Sequence, residues 1–191
     1  LINAGVKQAK KLGYDCFIIH DVDMLPDTNN DYHCNYDNIR HIGALVDKYN
    51  HKMHYQGLVG GVLAFTYDQF KSVNGFSNSY AGWGGEDDDM FIRIVRSCHS
   101  LSHDIYEEAK FSMIVHDSDS GNVKNPDVYL QLMNAGKNMR IDGLSSVDTF
   151  YGLESIQNSS TTVTGLGDSG IQFYSQNSYT NVSVSVYDKR Q

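Results

Sequence analysis

The sequence predicts an α/β fold within one domain over residues 1–191. Short apolar runs without polar alternation, at 15–19 and 60–65, are typical of strands covered on both faces of a sheet. Amphipathic segments flank these runs, beginning with residues 1–13, where apolar side chains recur at helical spacing up to Gly13. Hydrophobic residues make up 40% of the chain and only two prolines occur, so the composition suits a packed core.

The other predicted elements follow in chain order. Helices are predicted over 37–48, 66–73, 86–97 and 125–138, and a strand is predicted over 110–115. The segment 24–36 is polar and is expected to be a loop. The two glycines of Gly60-Gly61 are expected to let another backbone or a ligand come close.

The last part of the chain changes in composition at about residue 155. Residues 157–181 are rich in Ser, Thr, Asn and Gly, which predicts a surface excursion over 155–181. Two sequons make Asn158 and Asn181 candidate glycosylation sites. Alternation of valine with polar residues over 182–186 predicts a final half-buried strand.

Charge and targeting signals narrow the class of protein. The formal net charge of -8 argues against a general affinity for nucleic acid, which needs a basic surface. An acidic protein that handles a phosphorylated substrate usually needs a cation to offset repulsion. No apolar run reaches the length of a membrane span and no signal peptide opens the sequence. The first residues have the pattern of an interrupted helix, so we expect the chain to begin partway through a domain.

Asp21-Val22-Asp23 follows the first predicted strand directly. Ligands of open α/β sheets bind outside the carboxyl ends of strands, and paired carboxylates there favour a hard divalent cation. On an extended segment Asp21 and Asp23 would face the same way. One could hold a metal while the other orients a hydroxyl. The simpler interpretation is an acidic loop after a strand, because such triplets are common.

A second acidic segment begins at Gly82 and runs to Asp89. Four successive acids repel one another, and a helix N-terminus with its dipole would ease that repulsion. Successive residues on a helix are about 100° apart, so some of these acids should face a cleft and others should cap or form ion pairs. The chain has one tryptophan, Trp83, which could stack on a sugar or reach a phosphate. The alternative is a capped surface helix with a core tryptophan.

Residues 111–117 end in His116, a candidate metal ligand. Met113 is more usually a core residue. Joint ligation by Met113 and His116 would need a bend at the strand's end, because positions i and i+3 of a straight strand face opposite ways.

These motifs together resemble the β-1,4-galactosyltransferase family. The matching segments, in chain order, are His20-Asp21-Val22-Asp23-Met24-Leu25-Pro26, Asn74-Gly75-Phe76-Ser77-Asn78, Gly82-Trp83-Gly84-Gly85-Glu86-Asp87-Asp88-Asp89, Met113-Ile114-Val115-His116 and Asp142-Gly143-Leu144-Ser145-Ser146. The resemblance covers residues 1 to about 150. It implies a GT-A type, Rossmann-like α/β fold of which the N-terminal strands lie outside this chain. It also implies an inverting transfer of Gal or GalNAc from a UDP-sugar to the 4-hydroxyl of a GlcNAc-like or related acceptor on a glycoprotein, glycolipid or proteoglycan.

The resemblance also implies a role for individual residues. Asp87 would be the general base. The metal, Mn²⁺ with Mg²⁺ as the alternative, would be held by Asp23, Met113 and His116. The donor would contact Asp21, Val22, Lys48, Leu58 and Trp83, with Trp83 on a mobile loop that closes over it. The acceptor would contact Tyr55, Gly85, Glu86, Asp88, Val128, Tyr129 and Leu132. Cys16 and Cys34 would form a disulfide, which leaves Cys98 as the odd thiol.

Three positions depart from the family pattern. Leu58 stands where many galactose-transferring members carry Tyr, and a small aliphatic residue there makes room for an N-acetyl group, so UDP-GalNAc is an expected donor beside or instead of UDP-Gal. Val128 stands where Arg is common, and Ala81 replaces a loop Trp. The family setting implies the Golgi lumen and a single-pass type II membrane protein whose anchor is not in this chain.

Two other functions are considered. A non-catalytic, sugar-binding relative or partner subunit would keep the fold but would be expected to lose the metal arm or the base. A structural module for Ca²⁺ or Mg²⁺ would give Trp83 no role and would not bind nucleotide.

Overall fold

The computed structural model describes residues 2–27, 29–115, 123–159 and 181–188, and of 150–159 and 181–188 it describes the backbone alone. The helices are α1 (Ile2–Lys11), α2 (Tyr67–Ser72), α3 (Glu86–Arg96), α4 (Val128–Asn138) and α5 (Val147–Phe150), with two 3-10 turns at Asp47–Tyr49 and Leu144–Ser146. The strands are β1 (Cys16–His20), β2 (Met24–Pro26), β3 (Asn38–His41), β4 (Leu45–Val46), β5 (Val62–Thr66), β6 (Ser100–His103), β7 (Lys110–Met113), β8 (Tyr151–Ser159) and β9 (Asn181–Asp188). In these described parts, no helix is long and apolar enough to cross a membrane.

Three sheets organise the strands. The first has the order β1-β5-β3-β6 and is mixed, with β3 and β6 parallel and the other pairs antiparallel. The second has the order β2-β7-β4, and the third pairs β8 with β9. Helices pack beside these mixed sheets, so the predicted α/β class is confirmed.

Strand β5 lies between the two hydrophobic cores. Leu63 and Phe65 belong to one core, which also holds residues of α1, α2 and α3, whereas Val62 and Ala64 belong to the other. All five residues of β5 are buried, because successive side chains alternate between two covered faces. This is why the sequence shows an unbroken apolar run there.

Most predicted elements are present. The runs at 15–19, 60–65 and 110–115 are β1, β5 and β7, and α1, α2, α3 and α4 lie within the predicted helices. The final strand is β9, which pairs with β8, whereas residues 160–180 of the predicted surface excursion lie outside the described residues. Asn158 and Asn181 lie in β8 and β9, and their side chains are outside the described part of the chain.

The predicted helix over 37–48 is wrong. Residues 38–41 form β3, residues 45–46 form β4, and only Asp47–Tyr49 turns helically. The segment from Ile39 to Val46 is buried throughout, and a helix with one polar face could not satisfy that. Strand β3 instead lies between β5 and β6, where both edges of its backbone are hydrogen-bonded.

The disulfide between Cys16 and Cys34 is present, with 5.7 Å between the two Cα atoms. It ties the start of β1 to the loop that leads into β3. Cys98 is a free, exposed thiol. The cysteine pairing implied by the family resemblance is therefore confirmed.

Candidate functional site

The two acidic segments come close together in the fold. Asp21 follows the last residue of β1, and Asp87 lies in the first turn of α3. Burial raises the pKa of Asp87 to about 7, and the negative charges of Glu86, Asp21 and Asp88 add to this shift. Burial also raises the pKa of Asp21 to about 6, with contributions from Asp23 and Glu86. Because Asp21 contributes to the raised pKa of Asp87, and Glu86 contributes to the shifts of both, these carboxylates form one cluster.

Asp87 lies against the backbone of Gly60. A Cβ atom added to Gly60 would lie 2.3 Å from Oδ2 of Asp87, which is too close for any side chain. The next residue, Gly61, accepts a hydrogen bond from the backbone N–H of Asp21 at 2.8 Å and packs against the sulfur of Met24. The close approach predicted for Gly60-Gly61 is therefore made by two side chains of this chain, Asp87 at Gly60 and Met24 at Gly61.

The segment Asp21-Val22-Asp23 is a turn rather than an extended stretch, so the prediction that Asp21 and Asp23 project alike from a strand is wrong. The backbone N–H of Met24 donates to the carbonyl of Asp21 at 3.2 Å, which closes the turn. Because the backbone turns between β1 and β2, the alternation of side chains along a strand does not apply to Asp21 and Asp23. Val22, at the tip of this turn, is exposed.

Strand β7 brings the third predicted segment beside this turn. Met24 and Met113 are register partners, and the N–H of Ile114 donates to the carbonyl of Asp23 at 2.7 Å. Met113 also contacts the second hydrophobic core. His116 lies outside the described residues. Among those described, no group of three or more His, Cys, Asp or Glu side chains is arranged to hold a metal ion.

Lys48 is placed by Asp47. The carboxylate of Asp47 accepts hydrogen bonds from the backbone N–H of Lys48 at 2.6 Å and from that of Met113 at 3.0 Å. The ammonium of Lys48 lies over the ring of Tyr49, 5.7 Å from its centroid. The structure thus puts an exposed cation at the end of β7, close to the Asp23 turn.

Tyr55 pairs with Asp88 of α3. The Tyr55 hydroxyl donates to Asp88 Oδ1 at 2.9 Å, and burial and then this bond raise the pKa of Tyr55. The N–H of Leu58 donates to the carbonyl of Tyr55 at 3.1 Å, so the two residues share one turn. Phe91 of α3 packs on Gly57 within that turn.

The glycine-rich loop before α3 is hydrogen-bonded to the segment before α4 through the backbone of Trp83. Trp83 donates its N–H to the Val123 carbonyl at 3.0 Å, and its own carbonyl accepts from the N–H of Asn125 at 3.1 Å. Gly82, Gly84 and Gly85 all have positive φ, which side chains rarely tolerate. Trp83 itself is 60% exposed, so it is not the core tryptophan of the alternative interpretation.

Helix α4 supplies the remaining predicted contacts. Val128 lies against Gly85, since an added Cβ there would be 2.9 Å from Val128 Cγ1. Tyr129 is exposed and Leu132 is half-buried on the same helix. The predicted acceptor residues Gly85 and Val128 are therefore adjacent, at the N-terminal end of α3.

The last of the four acids, Asp89, has a structural role. Asp89 is buried and pairs with Arg93 one turn later, and it also accepts from the Tyr80 hydroxyl at 3.3 Å. Arg93 is fully buried and donates to the carbonyls of Gly75 at 3.1 Å and of Asp142 at 2.8 Å. The prediction that some of the acids form ion pairs is therefore confirmed for Asp89.

Sequence reasoning missed the partners that hold this arrangement. The ion pair between Asp89 and Arg93 could have been predicted, because Arg93 lies four residues after Asp89 on a helix. Asp142 accepts from Ser77 and from the N–H of Asn78 at 3.0 Å, and no local pattern predicts a contact across 64 residues. The buried ring of His41 was missed for the same reason.

Comparison with known proteins gives three kinds of similarity. A family model described as the N-terminal domain of galactosyltransferase matches residues 40–117. Human β-1,4-galactosyltransferase 2 is 41% identical over 150 residues, which are 77% of this chain and 40% of that protein. A β-N-acetyl-D-glucosaminide β-1,4-N-acetylglucosaminyl-transferase of Lymnaea stagnalis is 45% identical over 128 residues, 66% of this chain and 26% of its own length.

A solved structure shares the fold. The Drosophila β-1,4-galactosyltransferase 7 mutant, crystallised with manganese, UDP-Gal and xylobiose, superposes with a TM-score of 0.65 at 23% identity. The alignment covers 98% of this chain and 73% of the Drosophila chain, which establishes the GT-A type fold. The present chain spans less than half the length of the curated relatives that it matches.

Proposed function

The chain belongs to the β-1,4-galactosyltransferase family, and from that premise we propose that it carries the catalytic part of an inverting, metal-dependent hexosyltransferase. The reaction moves Gal or GalNAc from a UDP-sugar to the 4-hydroxyl of a GlcNAc-like or related acceptor sugar. The observation that carries the proposal is the closeness of Asp21 and Asp87, carboxylates from two distant segments whose pKa values are both raised by burial, with the charge of Asp21 adding to the shift at Asp87. Such pairs of perturbed acids in a cleft favour catalysis over a purely structural role.

Asp87 is the general base in this proposal. A pKa of about 7 lets its carboxylate accept a proton near neutral pH while it remains basic enough to help the acceptor hydroxyl attack. Inversion at the anomeric carbon needs one base on the acceptor side, with the nucleotide leaving from the opposite face. The backbone of Gly60 packs directly against the Asp87 carboxylate and so limits where that carboxylate can lie.

The residues of the cleft fit a divalent cation. Oε2 of Glu86 is buried without a hydrogen-bond partner in the described part of the chain, and burial, followed by the charges of Asp23 and Glu86, raises the pKa of Asp21. We propose that Asp23, Met113 and His116 hold Mn²⁺, which in its bound form would offset the carboxylate charges and neutralise the leaving diphosphate. The Drosophila neighbour, of the same fold, was crystallised with manganese, which supports this choice.

Separate sets of residues are proposed to contact the donor and the acceptor. Asp21, Val22, Lys48, Leu58 and Trp83 are the proposed donor contacts. Lys48 supplies a positive charge for a phosphate, and the exposed indole of Trp83 is free to reach a sugar or phosphate. The acceptor contacts are Tyr55, Gly85, Glu86, Asp88, Val128, Tyr129 and Leu132, in which the Tyr55–Asp88 pair offers hydrogen bonds and α4 offers an apolar surface.

An N-acetylated donor remains part of the proposal. Leu58 is smaller than tyrosine and would leave room for an acetamido group, and the Lymnaea relative is named for a GlcNAc transfer. We also propose that the whole protein acts in the Golgi lumen as a type II membrane protein. The Cys16–Cys34 disulfide supports an oxidising compartment.

The deciding experiment titrates UDP into the protein with and without Mn²⁺, followed by transfer assays with UDP-Gal, UDP-GalNAc and UDP-GlcNAc. Nucleotide binding that requires Mn²⁺, together with transfer that is lost in Asp87→Asn, is the expected result. Binding of sugar without nucleotide would instead indicate a non-catalytic relative. Metal binding that is independent of UDP would indicate a structural module.

A further inference from the structure

Two histidines, His41 and His103, pair beside the backbone of Gly60, two residues before β5. The proposed reaction assigns no role to either ring. His41 of β3 and His103 of β6 are register partners on parallel strands, with 2.9 Å between their Nδ1 atoms. His41 is fully buried and His103 is half-buried. Burying an imidazole ring costs more free energy than burying an apolar side chain, unless the ring forms hydrogen bonds that compensate for its lost contact with water.

The hydrogen bond to Gly60 fixes the proton on the His41 ring. Nε2 of His41 lies 2.8 Å from the carbonyl oxygen of Gly60, which can only accept, so Nε2 must carry the hydrogen. Nδ1 of a neutral His41 is then an acceptor, and it lies 2.9 Å from Nδ1 of His103, whose ring also forms a hydrogen bond with the backbone of Gln56. Burial lowers the pKa of His41 to about 4, which keeps this ring neutral at physiological pH. The Gly60 carbonyl thus selects the tautomer of His41, and His103 contacts the ring on its other side and helps to orient it.

Gly60 is the residue that the Asp87 carboxylate rests against. The space for a Cβ atom at Gly60 is filled by Asp87 Oδ2, and the Gly61 carbonyl is bonded to the N–H of Asp21. A rotation of the Gly60 carbonyl away from His41 would therefore move the surface that supports both aspartates.

We propose that His41, oriented by His103, is a positioning residue that holds the Gly60 backbone against the carboxylate of Asp87. The inference rests on the proposed function only in taking Asp87 as the base. Neither histidine touches substrate in this arrangement. Their effect is on the chemical step, because a misplacement of about 1 Å at a reacting group can cost about 100-fold in rate.

The test compares two substitutions at one position in the full-length protein. His41→Leu removes the donor to Gly60, and we expect kcat for sugar transfer to fall by about 10- to 100-fold with KM for the UDP-sugar changed by less than about threefold. His41→Gln restores a donor amide near Nε2, and kcat should return to within about threefold of the unmutated protein. His103→Leu, at a half-buried position, should give an intermediate loss of kcat because the His41 ring loses its contact at Nδ1 and is held less firmly.

A matched control separates positioning from loss of stability. Val6→Ala removes core volume on α1, away from Gly60, and should lower Tm while it leaves kcat unchanged. Equal activity of the Leu and Gln variants of His41, or an unchanged kcat in His41→Leu, would overturn the inference. If the unmutated protein transfers no sugar, the proposed function fails, and the inference is then decided by crystallography of His41→Leu. The gap between Gly60 Cα and the Asp87 carboxylate must widen in that variant, and an unchanged gap contradicts the inference.

Discussion

Gly60→Ala is the substitution that tests the geometry of the proposed base most directly. The new Cβ would lie 2.3 Å from Asp87 Oδ2, whereas ordinary contact begins at 3.4 Å, so the carboxylate must retreat by about 1.1 Å. A displacement of that size at a reacting group corresponds to about 100-fold in kcat, or about 2.7 kcal/mol of transition-state stabilisation. Gly60 does not have positive φ, so alanine causes no backbone strain and the fold should persist.

The assay is steady-state sugar transfer with saturating Mn²⁺, in which kcat and the KM for each substrate are measured separately. Gly57→Ala is the matched control, because its new Cβ meets the ring of Phe91 at 3.2 Å and not a carboxylate. We expect the control to keep kcat within about threefold. A Gly60→Ala enzyme with an unchanged kcat and the same Tm would refute the assignment of Asp87 as a base positioned by the backbone of Gly60.

Three further predictions concern stability and specificity. The raised pKa of Asp87 means that its contribution to stability is present below the unfolded value of 3.8 and is lost as pH rises through about 7; Asp87→Asn should therefore raise Tm at about pH 8 and not at about pH 4, measured without metal. Arg93→Met leaves the buried Asp89 unpaired and should cost about 3–5 kcal/mol in urea unfolding, whereas Lys7→Met on the surface should cost less than about 1 kcal/mol. Leu58→Tyr should shift the ratio of kcat/KM for UDP-GalNAc over UDP-Gal toward UDP-Gal by about tenfold or more, and an unchanged ratio would contradict the donor proposal.

Local sequence pattern was sufficient for the elements that bury one face or both faces continuously. The run 60–65 was predicted as a strand because its residues are apolar or small, and α3 was predicted because apolar residues recur at helical spacing after four acids. The segment 38–46 was predicted wrongly for a physical reason. The local pattern of apolar residues in this segment fits a helix as well as a strand. Hydrogen bonding to the backbone edges of β5 and β6 makes the strand more favourable.

The candidate site divides in the same way. The residue types of Asp21-Val22-Asp23 and of the segment from Gly82 to Asp89 pointed to a cleft with acidic chemistry before any fold was known. The division of labour among the four acids was not readable, because it depends on what each side chain meets. Asp87 meets Gly60, Asp88 meets Tyr55, and Asp89 meets Arg93.

The sequence by itself determined the α/β class, the family and, through the family resemblance, the disulfide, and it supplied the acidic residues of the candidate site. Those properties depend on local spacing and residue type, which are the same in every conformation of the chain. Only the tertiary structure decided that the Asp21 segment is a turn, that His41 and His103 pair beside Gly60, and that burial together with neighbouring charges raises the pKa values of Asp21 and Asp87. Desolvation, charge repulsion and hydrogen bonding between distant residues depend on distances in the folded chain, and those distances exist only after β1, β3, β5, β6 and α3 have packed together.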